Sequence, residues 1–321
     1  MALRVIDPGF WTTVQDPGRF GYREFGVPVG GAFDRSSAGL ANALVGNSPA
    51  AAVLEMTFRG GIYEVSEPLG IALAGAAMEV AVVAAAGRSW TLELPLCRTL
   101  RPGERLVMGR TESGLRTYLA VCGGIQSPLR LGSRSDEQPL QRGQLLPTGA
   151  GTVASRRLSN PETTCHQGVP IRVLDGPEAD RLLDPSILEA AEFRVSSQSD
   201  RMGIRLEGPK VATAPEPERL SGPVAPGAIQ AAGSQLILLG VACGTMGGYP
   251  HVAHVISADF DRVAQLRPGD SVRFKRVSLS QARDLDRAAR TRLSASLLRI
   301  AAVAGSAWVG GPESVGGLGG P

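Results

Sequence analysis

Turn residues interrupt this chain so often that long helices can occupy little of it. The 321 residues include 41 glycines and 23 prolines, and both residue types favour turns. Between them lie short apolar runs such as VLEMTF, IYEV, MEVAVV and TYLAV, which is typical of strands bounded by turns. The sequence therefore predicts a mainly β fold with a few helices.

Helices are predicted at three places in this pattern. Asp34 can cap a helix over 34–45, and Gly46 can end it. An Asp-Pro pair at 184–185 can start a short helix, because proline suits the first turn. A last helix is predicted over 278–303, because leucines and alanines recur along one of its sides.

Length and an internal similarity both indicate two domains. The segment LRPGERLVMGR at 100–110 resembles LRPGDSVRFKR at 266–276, and each places a Pro-Gly turn before an alternating strand. We predict β-rich domains over 1–150 and 166–290, followed by a disordered glycine-rich tail over 304–321. Two similar β-turns without a common domain construction are the alternative.

Composition argues against several classes of function. A net charge of +3 with sparse aromatic residues does not favour nucleic-acid binding. The longest apolar tract, 71–86, is too short to span a membrane, and MALRVIDPG lacks the features of a signal peptide. The four cysteines show no CxxC spacing. We therefore expect a soluble protein in a reduced, cytoplasmic setting, with no nucleic-acid or membrane partner.

Three polar, glycine-punctuated segments are the candidate functional loops. They read PGFWTTVQDPGRFGYREFGVPVGGAFD at 8–34, SDRMGIRLEG at 199–208 and GTMGGYP at 244–250. The charged residues of the first have too few apolar neighbours for a buried strand, so we interpret it as a series of turns. Such turns either serve the fold alone or hold the groups of a ligand site.

We expect the first two loops to line one anion-binding cleft between the domains. The residues predicted to meet there are Gln15, Asp16 and Arg19 with Ser199, Asp200 and Arg201. Asp16 or Asp200 would accept a proton or orient a water molecule. The candidate substrate- and anion-binding groups are Gln15, Ser199, Arg19, Arg134, Arg201, Arg205, Thr245, Gly247, Gly248 and Tyr249. For each arginine, a surface ion pair is the alternative.

No metal site is expected. The pair His251 and His254 has the spacing H-x-x-H, but residues three apart on a regular strand fall on opposite faces.

The first polar segment, at 8–34, and the residues that follow it through ANALVGN resemble the allophanate hydrolase subunit 2 family. That family includes the C subunit of 5-oxoprolinase and the carboxyltransferase domain of urea amidolyase. The similarity continues through LEMTFRGG, GLRTYLAVCGGI and LGSRS, and resumes at SDRMGIRLEG, GGYP and AQLRPGDSVRF. It covers about 5–275 in the same order. The resemblance implies two cyclophilin-like β-barrel domains.

The resemblance also implies a function beside a smaller partner, which would resemble allophanate hydrolase subunit 1 or the B subunit of oxoprolinase. The favoured reaction is ATP-dependent opening of 5-oxo-L-proline to L-glutamate. Carboxyl transfer to urea-type substrates from a separate biotin carrier and antagonism of a kinase inhibitor are the alternatives. The chain has no GxxxxGK[ST] motif for ATP and no Met-Lys-Met for biotin attachment, so ATP would be bound with the partner subunits.

One segment departs from the family pattern. Where the family commonly shows Asp-x-Gln-Thr-Thr-Gly-Gly-Tyr, this chain has Ala-Cys-Gly-Thr-Met-Gly-Gly-Tyr at 242–249, and Ala231 stands where a proline usually follows Ile-Gln. The loss of a carboxylate and an amide favours an altered substrate or a non-catalytic role.

Overall fold

The first half of the chain forms one curved antiparallel sheet of ten strands. The computed structural model describes residues 1–84, 87, 89–157, 168–215 and 220–304. The strands of the first sheet are β1 Ala2–Asp7, β2 Trp11–Gln15, β3 Val53–Thr57, β4 Ile62–Val65, β5 Leu69–Ala84, β6 Ser89–Leu92, β7 Leu96–Leu100, β8 Glu104–Val121, β9 Leu145–Pro147 and β10 Arg156–Arg157. The long strands β5 and β8 pair with each other along most of their length, and the sheet curves into half a barrel.

The second half forms an eight-stranded sheet that nearly closes into a barrel. The strands of this half are β11 Ile171–Asp175, β12 Phe193–Val195, β13 Gly203–Glu207, β14 Gly222–Pro223, β15 Ala228–Ala232, β16 Gln235–Leu239, β17 Met246–Gly247, β18 His251–Val255, β19 Ser271–Val272 and β20 Phe274–Arg276, of which β14 and β17 form a separate pair. The other eight follow the order β19-β12-β13-β16-β15-β18-β11-β20. The two edge strands are separated in sequence by one residue, Arg273, so the edges of the sheet come together.

Four α-helices lie outside the sheets in the described part of the chain. They are α1 Arg35–Leu44, α2 Ile187–Ala190, α3 Phe260–Val263 and α4 Leu279–Ala304. Single 3₁₀ turns lie at Arg23–Phe25, Ala179–Arg181 and Ser257–Asp259. Asp34 caps α1 by accepting a hydrogen bond from Ser37 N, as the sequence predicts. At the start of α4, Ser278 and Gln281 exchange reciprocal hydrogen bonds, which is the capping-box arrangement.

Each sheet has its own apolar core, and each core receives one side chain from the other half of the sequence. Phe33 precedes α1 in the first half but is fully buried in the core of the second sheet. Ile300 lies on the C-terminal helix α4 but packs into the core of the first sheet. These two exchanges join the halves through buried contacts.

The mainly β fold of barrel-type sheets is confirmed, and the first sheet is a half-barrel. Adjacent apolar runs that read as separate strands merge into β5 and β8, with β-bulges near Ala77. The proposed domain boundaries remain a prediction, and the tail from 305 onward lies outside the described residues, while Ala304 belongs to α4. Among the described residues, no helix combines the length and apolar character that crossing a bilayer requires.

The interpretation of the segments at 8–34 and 199–208 as turns was wrong in part, because each contains a strand. Trp11–Gln15 is β2, and Thr12, Thr13, Val14 and Gln15 are all buried in it. The polar side chains are tolerated there because Gln15 Nε2 donates to Thr13 Oγ1 and to Asp136 O, both at 2.9 Å. In the second segment, Gly203–Glu207 forms β13, which pairs with β12 and β16.

The internal similarity corresponds to two turns of matching geometry. In each turn the residue before the Pro-Gly pair, Arg101 or Arg267, donates a hydrogen bond from its backbone N to an acidic side chain three residues on. Gly103 and Gly269 have φ angles of +83° and +91°. Such angles at the third turn position favour glycine. The strands that follow differ, because β8 is long and interior whereas β19 and β20 are short edges.

Candidate functional site

Loops from the two halves meet at one place on the molecule. Asp16 O accepts from Ala32 N at 2.9 Å, which folds the first polar loop back on itself. Gly30 N then donates to Val241 O at 3.1 Å, and Ala242 N donates to Arg201 O at 3.1 Å. The first loop, the Arg201 turn and the 240–250 segment therefore pack together, and we call this region the loop junction.

Arg201 occupies the centre of the loop junction and is almost fully buried. Its Nη1 donates to Glu55 Oε1, its Nη2 donates to Gly31 O at 2.7 Å, and its Nε donates to Glu137 Oε2 at 2.7 Å. The guanidinium therefore binds protein acceptors on all sides. The loops meet as predicted, but an internal ion cluster, and not an open cleft, fills the space beside Arg201.

Glu55 is the carboxylate on which this cluster is built. It lies on β3 and accepts from Phe33 N and from Tyr118 Oη, both at 2.8 Å, while Arg116 Nε lies 3.3 Å away. Burial alone would raise the pKa of Glu55, but the charges of Arg201 and Arg116 hold it below its usual value. Burial likewise opposes the charged form of Arg201, and its two carboxylate partners outweigh that effect and raise its pKa.

The Asp16 carboxylate holds a second loop in place. Its Oδ1 accepts from Ser133 Oγ and Ser135 Oγ, both at 2.6 Å, and from Gly18 N at 2.8 Å. Its Oδ2 accepts from Arg134 N at 2.6 Å. Burial would raise the pKa of Asp16, but these hydrogen bonds together lower it. A carboxylate with four donors and a lowered pKa is a weak base, so the geometry favours a positioning role over the predicted proton transfer.

We expect D16N to destabilise the chain by about 2 kcal/mol, because the new amide would direct an N–H group at the Arg134 N–H donor. The matched control is D200N. Asp200 uses a single oxygen, Oδ1, to accept from Met202 N and Gly203 N, and the amide oxygen of asparagine can replace it. Urea unfolding of both variants measures the difference, and equal effects would contradict the role assigned to Asp16.

The pH dependence of D16N gives an independent check. The folded-state pKa of Asp16 lies below its ordinary value of 3.8, so its stabilising effect is fully present above about pH 4 and is lost as the pH falls through the folded-state pKa. The difference in unfolding free energy between wild type and D16N should therefore narrow below about pH 4. A difference that stays constant down to acid unfolding would contradict this account.

The other predicted residues of the second loop shape its turn. Ser199 Oγ accepts from Arg205 N at 3.0 Å, and Asp200 binds the two backbone groups named above. The Arg205 side chain is exposed on β13. Of the four residues predicted for this loop, only Arg201 reaches the residues of the first loop by side-chain hydrogen bonds that the structure shows.

The remaining predicted residues of the first half lie around the Asp16 network. Arg19 Nη2 donates to Ser135 O, and Gln15 is buried with its Oε1 atom unpartnered. Arg134 Nη2 donates to Gln126 Oε1 at 2.9 Å, and its Nη1 donates to Ser127 O. The Arg134 guanidinium therefore binds the loop that precedes it and not the acceptors of Arg201, so the predicted arginines do not converge on one point.

The third polar segment forms a short strand pair beside the loop junction. Gly247 lies on β17, which pairs with β14, and a Cβ atom there would lie 2.5 Å from Gln230 Nε2. Thr245 contributes its carbonyl, which accepts from Val224 N at 3.0 Å. Tyr249 is half exposed. Gly248 is also exposed, whereas Thr245 and Gly247 are partly buried, so the accessible groups among the predicted residues of this segment are those of Gly248 and Tyr249.

The cavities in the described part of the chain include two, lying in different places, that are each large enough for a small molecule. One of about 570 Å³ adjoins the Asp16 network and is lined in part by Arg130, Arg134, Ser135 and Gln138. The other, about 840 Å³, lies between the second sheet and α4 and is lined by none of the predicted site residues. The first cavity is therefore the one that the sequence-based site touches.

The prediction that the two histidines face apart was wrong. Gln230 pairs with His251 and Ile229 pairs with Ala253, so a β-bulge at Val252 adds a residue to β18 and turns both imidazoles to one side. The ring centroids lie 5.4 Å apart. Burial lowers the pKa of both histidines, that of His254 to about 4.

Sequence reasoning missed Glu55, Arg116 and Glu137, which form the charged cluster with Arg201. One signal was available for Glu55, which stands between Leu54 and Met56 in a largely apolar strand. A charged residue at such a position requires a buried partner of opposite charge. The identity of that partner depends on the tertiary fold.

The half-barrel, the nearly closed barrel and the loops that join them define the fold of the carboxyltransferase domains. The solved structure of the Kluyveromyces lactis urea amidolyase superposes with a TM-score of 0.78 and 26% identity, over 92% of this chain and 20% of that one. The family model "Carboxyltransferase domain, subdomain A and B" matches residues 25–276. The chain belongs to this family.

Two kinds of relative resemble the chain over most of its length. It is 35% identical to the C subunit of 5-oxoprolinase from Escherichia coli K12, covering 87% of this chain and 93% of that protein. It is 30% identical to the urea amidolyase of Lachancea kluyveri, covering 88% of this chain but 17% of that protein. The chain thus spans about a sixth of the urea amidolyase and nearly the whole of the oxoprolinase component.

Proposed function

We propose that this chain is one component of an ATP-dependent amide hydrolase that opens 5-oxo-L-proline to L-glutamate. The observation that carries the proposal is the sequence identity, which is 35% to the C subunit of a 5-oxoprolinase and 30% to a urea amidolyase over similar shares of this chain. The alignment spans 93% of the C subunit of a 5-oxoprolinase and 17% of a urea amidolyase. The higher identity to the oxoprolinase subunit, with most of both sequences aligned, supports the same kind of role for this chain.

The reaction requires partner subunits in this proposal. Asp16 and Arg201 have their hydrogen bonds satisfied within the chain, which suits a rigid scaffold better than a complete catalytic centre. ATP would be bound with a partner, because this sequence has no P-loop motif. We infer that the smaller subunit of the same system is that partner, and that the exposed 244–249 segment lies close to it.

The 570 Å³ cavity is the proposed binding place for the small amide. Arg130 extends into solvent, with 72% of its side chain exposed, and lies 3.5 Å from Asp136. With Arg134 it lines a polar wall beside the Asp16 network. An arginine fork suits the carboxylate of a substrate such as 5-oxoproline. In this proposal Asp16 keeps the 133–135 loop in the conformation that presents these groups.

Coexpression of this chain with the proposed partner subunits, followed by an assay of glutamate formation from 5-oxo-L-proline, tests the proposal. We expect glutamate to form only with ATP and with all subunits present. R130M should raise KM for 5-oxoproline several-fold while kcat changes little, because it removes a binding charge. The control R287M alters an exposed arginine on α4 and should leave both constants unchanged. A folded complex that forms no glutamate would overturn the assignment.

Carboxyl transfer is the second candidate, because the matching family model is a carboxyltransferase domain. A separate biotin carrier would have to supply the carboxyl group, since this chain has no Met-Lys-Met motif. The same preparations, supplied with a carboxylated biotin carrier and urea, distinguish the two. Consumption of carboxybiotin without glutamate formation from 5-oxoproline would favour this candidate.

A further inference from the structure

The two histidines of β18 face each other through one nitrogen each. His254 Nδ1 lies 3.4 Å from His251 Nε2. A hydrogen bond donated by nitrogen is typically about 2.9–3.0 Å long, so this separation is long for a direct bond. It matches the distance of about 3.4 Å between two ligands of a tetrahedral metal ion with Zn–N bonds of about 2.0–2.1 Å.

The backbone holds this pair in position. The bulge at Val252 brings the two imidazoles to one side of the strand, and cross-strand pairing of His251 with Gln230 and of His254 with Ala228 flanks it. Gly227 packs against the other ring nitrogen, since a Cβ there would lie 3.0 Å from His254 Nε2. The His254 ring is therefore confined on the side away from His251.

The surroundings place a carboxylate near the pair and give a small ion access to it. Glu178 Oε2 accepts from His251 N at 2.8 Å, which places a carboxylate beside this end of the strand. His254 also lines the 840 Å³ cavity. Cationic side chains outnumber carboxylates in the lining of that cavity by seven to three, and ion pairs join Arg172 and Arg262 to Asp259 and Arg290 to Asp286.

We propose that His251 Nε2 and His254 Nδ1 form a binding site for one divalent transition-metal ion of the zinc, nickel or copper type. Imidazole nitrogens suit these ions. Within the described residues, no three His, Cys, Asp or Glu side chains surround a common point, so solvent or a small ligand from the cavity supplies the other coordination positions. The site does not depend on the hydrolase assignment.

Titration of the metal-free, untagged chain with Zn²⁺, followed by calorimetry, tests the site. We expect one equivalent to bind, and we expect H251Q and H254Q each to weaken binding at least ten-fold. The control is H166Q, which removes the third histidine of the chain and should bind as the wild type does. Failure of Zn²⁺ to bind, equal binding by all three variants, or loss of binding only in H166Q would overturn the proposal.

A measurement on the unaltered chain covers the case in which a variant does not fold. Cu²⁺ added at one equivalent should give an electron paramagnetic resonance spectrum with hyperfine splitting from two imidazole nitrogens. A spectrum with one nitrogen or none would show that the histidine pair is only hydrogen-bonded. Circular dichroism of each metal-free variant separates loss of the site from loss of the fold.

Discussion

Replacing Arg201 by methionine should destabilise the folded chain by about 3–5 kcal/mol, because it leaves the buried Glu55 carboxylate without its main counter-charge. Glu55 is 1% exposed, and its remaining cation, Arg116, approaches only to 3.3 Å. The methionine side chain also cannot donate to Gly31 O or to Glu137. Guanidinium unfolding measures the effect as a shift of the transition midpoint.

Two further variants show whether the buried charge is the cause. R205M changes an exposed arginine in the neighbouring strand and should alter the unfolding free energy by no more than about 0.5 kcal/mol. The double variant E55Q/R201M should be more stable than R201M alone, since it removes the uncompensated carboxylate. If R201M unfolds with the wild-type midpoint, the ion cluster does not join the two halves as described.

Local sequence patterns correctly predicted the helix cap, the helix limits and the turns, which depend on interactions between residues close in sequence. The cap of α1, the limits of α4 and the turns at 101–104 and 267–270 each depend on a few neighbouring residues, and the structure shows all of them. Strand β2 was missed because the donors of its buried Thr12 and Gln15 side chains find acceptors in Pro8 O and Asp136 O. One of those acceptors is more than a hundred residues away, so local pattern could not indicate it.

The candidate site shows the same limit. Sequence patterns placed the Asp16 loop and Arg201 in one region, and the structure brings them together there. Their partners could not be predicted, because Arg201 binds Glu55 and Glu137, which precede it by 146 and 64 residues. The His251 and His254 side chains lie on the same side of β18 because the strand has one extra residue in its pairing with β15. The regular alternation of side chains along a strand, on which the sequence prediction was based, does not include such a bulge.

Replacing Gly240 by alanine should be the most damaging single-methyl change at the loop junction. A Cβ at Gly240 would lie 2.2 Å from Arg201 O and 3.2 Å from Phe33 Cε1. The first contact is with backbone, which cannot rotate away, and Gly240 N is held by its hydrogen bond to Met202 O at 2.9 Å. The Arg201 turn and the 240–243 segment would have to separate, at a cost of about 3 kcal/mol or more.

The matched control is G222A, in the short strand pair beside the loop junction. Apart from Gly222 and its two chain neighbours, no described residue has a heavy atom within 4 Å of the Gly222 Cβ position, and neither glycine has a positive φ angle. The two variants therefore differ in the space available to the methyl group and not in backbone strain. We expect G222A to unfold within about 0.5 kcal/mol of the wild type. Equal stability of G240A and G222A would contradict the close backbone contact between Gly240 and the Arg201 turn, which holds the buried Arg201 side chain in position.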